Sequence, residues 1–367
     1  MKNRVASQPG LDSIPPYKPG RSIEEIQREY GVQEVIKLAS NENPLGASPK
    51  ALSILYQSLA KVSFYPDGQS YNLRNALALK LGVEPEQIIV GNGEDGLILE
   101  TCMAFLDETS EVIVSKSSFP IYDIYSYGMR ARLVKTPLKD YSLDLAAMAD
   151  AITRQTKLIF VCNPNNPTGT VVSSDQVSWF LERVPDHVLV IFDEAYLEFV
   201  DDMKFPDSLS YVREGRENIM VMRTFSKIYG LAGLRLGYAI GSPSVISHLN
   251  TVKEPFSVNL LAQIAGEAAL DDDDFLNRTL LVNRSGRDYL YKEFDRLDLN
   301  YVKTQANFIL VELGPNAGDI IENLMQKGVI IRPCVAYDLP AFARISIGSI
   351  EQNKRLVNTL EEVIYGR

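Results

Sequence analysis

The segment Thr224–Arg235, TFSKIYGLAGLR, places a lysine between hydroxyl side chains and an arginine eight residues further on. A lysine amine becomes a useful nucleophile when it forms a Schiff base with an aldehyde. Thr224, Ser226 and Arg235 supply the hydroxyl and guanidinium donors that a phosphate dianion needs. Pyridoxal 5'-phosphate is the coenzyme that combines both groups, so the segment indicates Lys227 as its anchor. Alone, the segment fits equally well a surface lysine and an arginine that covers apolar surface with its stem.

Two upstream segments carry polar residues at the carboxyl ends of predicted buried strands. NPNNPTG at 163–169 follows KLIFVC, and DEAY at 193–196 follows VLVIF. Open α/β sheets bind ligands at such strand ends. A carboxylate keeps a pyridine nitrogen protonated, which fits Asp193, and Asn166 with Tyr196 could donate to the ring's 3'-oxygen. Each segment alone also fits an ordinary turn or helix start.

The order NPNNPTG, DEAY, TFSKIYGLAGLRLGY resembles the class I/II aminotransferases of the aspartate aminotransferase fold. Further segments resemble one branch, the histidinol-phosphate aminotransferases: PYKPG at 16–20, KLASNENPLG at 37–46, YPDG at 65–68, GNGEDG at 91–96 and ARISIGS at 343–349. The resemblance covers nearly the whole chain. It implies an α/β protein with the fold of type I pyridoxal phosphate-dependent transferases, in which a large domain with a mostly parallel central sheet carries a smaller α+β domain.

The helix and strand patterns predict where these domains lie. Helical segments alternate with buried-strand patterns up to about residue 241, and the pattern then changes to long amphipathic stretches with three further strand-like runs. We therefore expect an N-terminal arm or small-domain segment at 1–45, a large coenzyme-binding domain at 46–250 and a small C-terminal domain at 251–367.

GNGEDG follows a strand-like run and opens an apolar helical pattern. A glycine turn of this kind aims backbone N–H groups at an anion on a helix N-terminus. The resemblance implies that this anion is the coenzyme phosphate, contacted around Gly93, Glu94 and Asp95. The same letters match G-x-G-x-x-G, and Glu111 lies about where a dinucleotide-binding protein has its ribose acid. A dinucleotide site would leave the lysine, asparagine and aspartate segments unexplained.

The resemblance also assigns two aromatic residues near the coenzyme. Phe119, just after the predicted strand EVIVS, is expected to stack on the coenzyme ring, although a phenylalanine is often simply core. Tyr65 resembles the tyrosine that crosses a homodimer interface to the phosphate of the neighbouring subunit. Each active site would then need two subunits. The sequence by itself favours a tyrosine that flanks a turn.

Four residues are expected to bind substrate. Arg332, in VIIRP, and Arg344, in ARISI, lie in strand-like segments where two guanidinium groups could hold an anion bidentately. The resemblance implies that both face a substrate phosphate and that Arg344 also binds carboxylate. Tyr17 and Asn43 are the matching contributors from the N-terminal region. Any arginine on an amphipathic strand can instead face solvent.

Composition indicates a globular enzyme without identifying it. The chain has 367 residues, 46% of them hydrophobic, and a net charge of −10. The acidic balance argues against nucleic acid or an anionic membrane as partner. Three cysteines without C-x-x-C spacing and two histidines argue against a disulfide framework, a zinc site or a histidine triad. We find no leader-like apolar segment, so we expect a cytoplasmic protein without a membrane span.

The resemblance implies a transamination in which Lys227 anchors the coenzyme and then moves a proton from the substrate Cα. The expected reaction converts L-histidinol phosphate and 2-oxoglutarate to imidazole acetol phosphate and L-glutamate, in histidine biosynthesis. Glu94, Gly96 and Asp338 depart from the residues usual in that branch, and a carboxylate at Asp338 could repel a phosphate. An aromatic amino acid aminotransferase and a phosphothreonine-type decarboxylase therefore remain alternatives. A coenzyme-binding regulator is a third, although no basic helical extension is present.

Overall fold

The computed structural model describes residue 16 and residues 19–366. Within these residues, α-helices and β-strands alternate along most of the chain. The helices are α1 (Ile23–Tyr30), α2 (Pro49–Ser58), α3 (Tyr71–Leu81), α4 (Gly93–Phe105), α5 (Ile121–Gly128), α6 (Leu145–Asp150), α7 (Ser174–Leu181), α8 (Ser208–Arg213), α9 (Pro243–Val252), α10 (Leu260–Leu270), α11 (Asp273–Arg296), α12 (Ala317–Gln326) and α13 (Ile350–Tyr365).

The strands form two main sheets and one short hairpin. They are β1 (Ile36–Leu38), β2 (Ile88–Asn92), β3 (Glu111–Ser115), β4 (Arg132–Thr136), β5 (Leu138–Lys139), β6 (Ser142–Leu143), β7 (Thr156–Cys162), β8 (Leu189–Asp193), β9 (Ile219–Thr224), β10 (Leu236–Gly241), β11 (Tyr301–Val302), β12 (Phe308–Glu312), β13 (Val329–Pro333) and β14 (Phe342–Ser346).

The central sheet has seven strands in the order β2-β10-β9-β8-β7-β3-β4. β4, β3, β7, β8 and β9 are parallel, whereas β10 runs antiparallel to both of its neighbours. Helices cover both faces of a parallel sheet, so its strands read as continuous apolar runs. Every residue of β3 and of β8 is accordingly buried. The predicted α/β fold with a mostly parallel central sheet is confirmed.

Alternate side chains of the central strands enter two different apolar clusters. In β7, Ile159 and Val161 pack in one cluster, while Leu158 and Phe160 pack in the other. This alternation follows from the two-residue period of a strand, which sends successive side chains to opposite faces. Both faces are therefore core, and the polar residues that follow these strands are left at the sheet edge.

A second sheet has five strands in the order β1-β13-β14-β12-β11. β1 pairs parallel with β13, and the other pairs are antiparallel. Its own apolar cluster contains residues of β1, β12, β13 and β14 together with α11, α12 and α13. The N-terminal strand thus belongs to the same sheet as the C-terminal strands.

Serine side chains cap the first two helices. Ser22 accepts a hydrogen bond from the Glu25 N–H at 3.2 Å, and Gly31 ends α1 in the left-handed conformation. Ser48 caps α2 in the same way. These caps satisfy N–H groups that a helix start leaves without an intrahelical partner.

The described residues contain neither a candidate membrane-spanning helix nor a candidate metal-ligand cluster. None of their helices is long and apolar enough to cross a lipid bilayer. The same part of the chain contains no group of three or more histidine, cysteine or acidic side chains arranged to hold a metal ion.

Candidate active site

A cavity of about 260 Å³ lies between the carboxyl ends of the central strands and the five-stranded sheet. Its lining includes Cys162 at the end of β7, Asp193 at the end of β8 and Thr224 at the end of β9. Twelve residues predicted from the sequence line it: Glu94, Asp95, Phe119, Asn166, Asp193, Tyr196, Thr224, Ser226, Lys227, Arg235, Arg332 and Arg344.

The Lys227 amine lies inside this cavity. Its Nζ donates a hydrogen bond to the Ser40 carbonyl oxygen at 3.2 Å and lies 5.7 Å from the centroid of the Tyr196 ring. Burial, and next to it the positive charge of Arg344, lowers the pKa of Lys227 to about 8. A depressed pKa raises the fraction of neutral amine, which is the form that attacks an aldehyde or accepts a proton.

Asp193 is buried, with 3% of its surface exposed, beside the lysine. Its Oδ1 accepts from the Ala195 N–H at 3.1 Å, and its Oδ2 accepts a short hydrogen bond from the Tyr122 hydroxyl. Burial raises the pKa of Asp193, while donors from Tyr122 and Glu94 oppose that rise. The aspartate is thus held by donors that stabilise its ionised form.

The start of α4 and the segment after β9 together place hydrogen-bond donors at one end of the cavity, as an anion site would require. The Gly93 N–H donates to the Arg235 carbonyl oxygen at 2.8 Å, and the Arg235 guanidinium donates to Asp95 at 3.1 Å. Gly93 has a φ of +70°, and a Cβ there would lie 2.6 Å from Arg235 Nη2. Only glycine allows this approach. The helix N-terminus and the guanidinium are thereby brought together.

Two hydroxyl groups complete this site. Thr224 Oγ1 donates to Ser226 Oγ at 3.0 Å and also accepts from the Ser226 N–H at 3.1 Å. Hydroxyls, a guanidinium and a helix N-terminus are the donors that bind phosphate groups in proteins. The same cavity contains a primary amine, which could bind an aldehyde, and a buried carboxylate, which could bind a ring nitrogen. The donor set therefore fits a phosphorylated pyridine aldehyde.

Arg332 and Arg344 lie directly opposite each other on β13 and β14. Both are buried, with 6% and 5% of their surface exposed. Arg344 Nη1 donates to Asn166 Oδ1 at 2.5 Å and to the Tyr337 hydroxyl at 3.2 Å, and its Nη2 donates to the Ala39 carbonyl at 2.8 Å. Like charges facing each other across a sheet are unfavourable. An anionic ligand would offset that repulsion.

Asn41 is a site residue that the sequence reasoning missed. Its Nδ2 donates to the Tyr196 hydroxyl at 2.9 Å, and its own Oδ1 accepts from Ser346 at 3.0 Å. The backbone N–H of Asn41 donates to Ser346 Oγ at 2.8 Å. Asn41 thus connects β14 to Tyr196, which lies three residues after the end of β8. The signal for it was present, because it lies in the quoted segment KLASNENPLG.

Tyr122 and Tyr337 were also missed. Tyr122 stacks on Phe160, with ring centroids 4.4 Å apart, and meets Phe119 edge to face at 5.6 Å. Tyr337 is buried and lines the cavity beside Arg344. Neither residue carries a charge, and the sequence offered no signal that separated them from ordinary core tyrosines.

Among the described residues, three predicted ones do not line the cavity: Gly93, Asn43 and Tyr65. Asn43 Nδ2 donates to the Ile228 carbonyl at 2.9 Å and to Thr279 Oγ1 at 3.1 Å, so it holds the backbone after Lys227 in place instead of facing the cavity. Tyr65 is 81% exposed and stacks on Phe256 with ring centroids 4.8 Å apart. Tyr17 lies outside the described residues.

Glu94, Gly96 and Asp338, which differ from the residues usual in the histidinol-phosphate aminotransferases, have different surroundings. Asp338 is exposed, has a φ of 59° and does not line the cavity. Burial raises the pKa of Asp123, and the charge of Asp338 adds to that rise. The same charge adds to the raised pKa of Lys135, which is raised mainly by Asp123, so Asp338 lies near both groups. A glycine tolerates this left-handed backbone better than an aspartate does. Glu94, by contrast, lies in the cavity wall, whereas a Cβ at Gly96 would make only an ordinary contact with Asn92.

Glu111 does not support a dinucleotide site. Its Oε1 accepts from Arg132 Nε at 2.8 Å and its Oε2 accepts from Thr153 at 2.6 Å. Both oxygens are therefore engaged at the start of β3, and the residue is not part of the cavity lining. The reading of Glu111 as a ribose acid is wrong, because it lies at the amino end of its strand, away from the ligand-binding edge.

The fold is that of the aspartate aminotransferases. The structure of an aspartate aminotransferase from Thermus thermophilus with maleate superposes with a TM-score of 0.84 at 23% identity, covering 98% of this chain and 100% of that one. A histidinol-phosphate aminotransferase from Sinorhizobium meliloti, in complex with pyridoxal-5'-phosphate, superposes with a TM-score of 0.90 at 27% identity, and each chain is covered completely.

Sequence comparison then narrows the class to a family. Residues 33–360 match the family described as aminotransferase class I and II. A histidinol-phosphate aminotransferase of Moorella thermoacetica is 48% identical, covering 96% of this chain and 91% of that relative. One from Brevibacillus brevis is 44% identical, covering 96% and 97%. The chain belongs to the class I and II aminotransferase family, and the predicted resemblance is confirmed.

Proposed function

We propose that this protein is a pyridoxal 5'-phosphate-dependent aminotransferase that transfers the amino group of L-histidinol phosphate to 2-oxoglutarate, in histidine biosynthesis. The observation that carries the proposal is one cavity in which Lys227 and Asp193 lie together with the cross-strand arginines Arg332 and Arg344. Relatives at 44% and 48% identity are histidinol-phosphate aminotransferases over nearly the same length.

The coenzyme would be held at one end of the cavity, which we call the coenzyme end and define as Glu94, Asp193, Ser226, Lys227 and Arg235. Ser226, Arg235 and the first N–H groups of α4 would bind the phosphate, and Asp193 would bind the ring nitrogen. When bound, pyridoxal phosphate supplies a protonated ring that withdraws electrons from the bonds at the substrate Cα. Phe119 is proposed to pack against that ring, and Asn166 and Tyr196 to bind its 3'-oxygen.

Lys227 is proposed as both attachment point and proton carrier. Its amine would hold the aldehyde carbon of the coenzyme, and as a free neutral amine it would serve as the general base at the substrate Cα hydrogen. Because its pKa is lowered to about 8, a substantial fraction of the amine is neutral near physiological pH. The hydrogen bond to the Ser40 carbonyl oxygen holds this amine within the cavity.

The opposite end of the cavity, which we call the arginine end and define as Arg332, Tyr337 and Arg344, would bind the anionic group of the substrate. A phosphate dianion can accept several charge-assisted hydrogen bonds, and the planar guanidinium offers two parallel donors. Asp338, which could repel a phosphate, is exposed and does not line this end. This removes the objection that the sequence raised against a phosphorylated substrate.

A half-reaction experiment tests the substrate. The purified holoenzyme is mixed separately with L-histidinol phosphate and with L-phenylalanine at equal concentration, and the coenzyme absorbance is followed in a stopped-flow instrument. We expect faster conversion to the aminated coenzyme with histidinol phosphate. Faster conversion with phenylalanine would identify an aromatic amino acid aminotransferase instead.

An exposed apolar region supports a homodimer. Tyr65 and its neighbours on and after α2 and α3 are more than half exposed, although they are large and apolar. They are Tyr56, Leu59, Val62, Phe64, Tyr65, Tyr71 and Leu79. We propose that a second copy covers this region and that Tyr65 reaches the coenzyme phosphate of that copy.

Subunit hybrids test whether the active site is shared. A dimer of one Lys227→Ala subunit and one Tyr65→Ala subunit contains one complete site if Tyr65 acts across the interface, and none if it acts within its own subunit. We expect activity from purified, differently tagged hybrids and almost none from either parent homodimer. Inactive hybrids that are still dimers by sedimentation would rule out the shared site.

We also propose the domain boundaries and the cellular compartment of the protein. We place the large domain at 46–250, because the whole seven-stranded sheet comes from it, and assign 1–45 and 251–367 to the small domain, whose sheet joins β1 to β13. Cys102, Cys162 and Cys334 are free and buried, which supports a reducing cytoplasm.

A further inference from the structure

Glu94 is an acid in the wall of the coenzyme end, and it forms no ion pair with any residue that the structure describes. It lies in the first turn of α4 and is 9% exposed. Within the described part of the chain, its Oε1 has no hydrogen-bond partner. The nearby Arg235 guanidinium donates instead to Asp95 at 3.1 Å. The Glu94 side chain lies within hydrogen-bonding reach of the Asp193 carboxyl group, which lines the same cavity.

Two carboxyl groups in contact inside a protein cannot both be ionised, so this pair shares a proton. Asp193 already accepts from the Tyr122 hydroxyl and from the Ala195 N–H, and both donors stabilise a carboxylate. Glu94 has no comparable set of donors among the described residues, and its unpartnered Oε1 is buried. The proton therefore belongs on Glu94 and the negative charge on Asp193.

The charged groups that face Glu94 favour the same assignment. Burial, and next to it Asp193, raises the pKa of Glu94 well above its usual range, and Asp95 raises it further. Lys227 opposes this, but its own pKa is lowered to about 8. On β10, the residue packed against the Glu94 backbone is Gly237, where a Cβ would lie 2.7 Å from the Glu94 nitrogen. That strand thus brings no charged side chain at this point.

We propose that Glu94 is a positioning residue that stays a neutral carboxylic acid and donates its O–H to the Asp193 carboxylate, so that Asp193 is oriented for the ring nitrogen of the coenzyme. This inference rests on the proposed function and deepens it. A carboxylate has about four acceptor positions. Tyr122, Ala195 and Glu94 occupy three of them, which leaves one for the ring N–H.

The neutral state also explains how an acid is tolerated beside a phosphate site. An ionised Glu94 would repel the coenzyme phosphate in a partly water-free cavity, where charges interact strongly. A neutral Glu94 does not. The chain therefore keeps a residue that departs from the serine usual at this position without losing the anion site formed by Gly93 and Arg235.

Infrared difference spectroscopy of the coenzyme-free protein tests the protonation state directly. We choose about pH 8.5, where Glu100 and Glu198, whose pKa values are both raised to about 7, are mostly ionised. The C=O stretch of a protonated carboxylic acid is expected in the wild type and is expected to disappear in Glu94→Gln. Glu100→Gln, which changes another buried acid of α4, is the matched control and should keep the band. A spectrum without this band in the wild type would overturn the proposal.

The affinity for the coenzyme supplies a second test of the protonation state of Glu94. Dissociation constants for pyridoxal 5'-phosphate are measured by absorbance titration of apoprotein at neutral pH. Glutamine is neutral and can donate from its amide, so Glu94→Gln is expected to bind within about threefold of the wild type, and Glu94→Ala, which lacks a donor, about tenfold more weakly. Tightening by tenfold or more in Glu94→Gln would show that an ionised carboxylate had been removed and would refute the neutral acid. Failure of every variant to bind the coenzyme would refute the proposed function, whereas the infrared result would still decide the state of Glu94.

Discussion

The coenzyme end and the arginine end of the cavity are supported by different kinds of backbone. At the coenzyme end, Asp193 and Lys227 follow parallel strands, and the phosphate donors come from the start of α4. At the arginine end, Arg332 and Arg344 face each other across two antiparallel strands of the second sheet. Parallel strands bring their carboxyl ends to one edge, whereas an antiparallel pair brings opposed side chains within contact.

The two ends also differ in charge. The coenzyme end contains two acids together with a lysine and an arginine, whereas the charged groups of the arginine end are two guanidinium groups. They are nevertheless coupled, because the charge of Arg344 lowers the pKa of Lys227. We therefore expect that changes at the coenzyme end stop the reaction, whereas changes at the arginine end alter which substrate is used.

The largest effect is expected for Lys227→Ala. Loss of the general base alone reduces turnover by about 10²- to 10⁴-fold, and the coenzyme also loses its covalent attachment point. Steady-state transamination should become undetectable, and borohydride reduction followed by peptide mapping should label position 227 in the wild type only. Lys80→Ala, on the surface near Asp273, is the control. Retained full activity in Lys227→Ala would contradict the assignment.

Asp193→Asn should reduce kcat by about 10²- to 10³-fold, because it removes a preorganised charge from the coenzyme end. Tyr122→Phe keeps the carboxylate but removes one of its donors, so a smaller loss of about tenfold is expected. Both are measured as single-turnover rates with saturating histidinol phosphate. Equal losses in the two variants would mean that Tyr122 acts directly on the reactants.

Arg332→Ala should distinguish substrates at the arginine end. Loss of charge-assisted hydrogen bonds to the phosphate is expected to lower kcat/KM for histidinol phosphate by about 10²-fold. The same change should alter kcat/KM for phenylalanine by less than about threefold, since that substrate carries no phosphate. Arg296→Ala, whose guanidinium pairs with Glu361 on the surface, controls for loss of an arginine. A parallel loss with both substrates would argue against phosphate binding at Arg332.

The coupling between the two ends predicts a pH dependence. The neutral form of Lys227 attacks the coenzyme aldehyde, and its pKa is lowered to about 8. The rate of coenzyme attachment to apoprotein should therefore rise with pH and reach half its plateau near pH 8. Arg344→Gln removes a positive charge beside the amine, so the midpoint should move to higher pH; Arg332→Gln is the comparison. An unchanged midpoint in Arg344→Gln would show that the ends are independent.

The smallest effect is expected for Asp338→Gly. Glycine relieves a left-handed backbone that is strained for aspartate by roughly 1 kcal/mol, so thermal unfolding should occur at the same or a slightly higher temperature. Activity with histidinol phosphate should stay within about twofold, because an exposed charge is screened by solvent. A large gain in kcat/KM would mean that Asp338 does repel the substrate phosphate.

Much of the coenzyme end could be predicted from the sequence, because its residues follow apolar runs directly. Asp193 ends a strand that reads as buried on both faces, and Asn166 and Lys227 lie just after two others. Parallel strands place such residues at one edge. Arg332 and Arg344 could be located within strands. Their direct opposition depends on a register between β13 and β14 that no local pattern reveals.

Prediction from the sequence failed where the role of a residue depends on a contact with a distant part of the chain. Asn43 looked like a ligand-binding residue of the N-terminal segment, but its amide holds the backbone after Lys227 and the side chain of Thr279 on α11. Asn41, two residues earlier, instead reaches Tyr196 and Ser346. Neighbouring asparagines differ in this way because backbone direction decides which of them faces the cavity.

The sequence by itself determined the alternation of helices and buried strands, the order of the lysine, aspartate and asparagine segments, and the glycine turn that begins α4. Each is a local property of propensity, periodicity or side-chain chemistry. Only the tertiary structure decided that Tyr122 and Glu94 meet Asp193, that Asp338 lies outside the cavity and that Arg344 lies close enough to lower the pKa of Lys227. Those contacts join residues far apart in the chain, and the strength of each depends on burial, which packing alone determines.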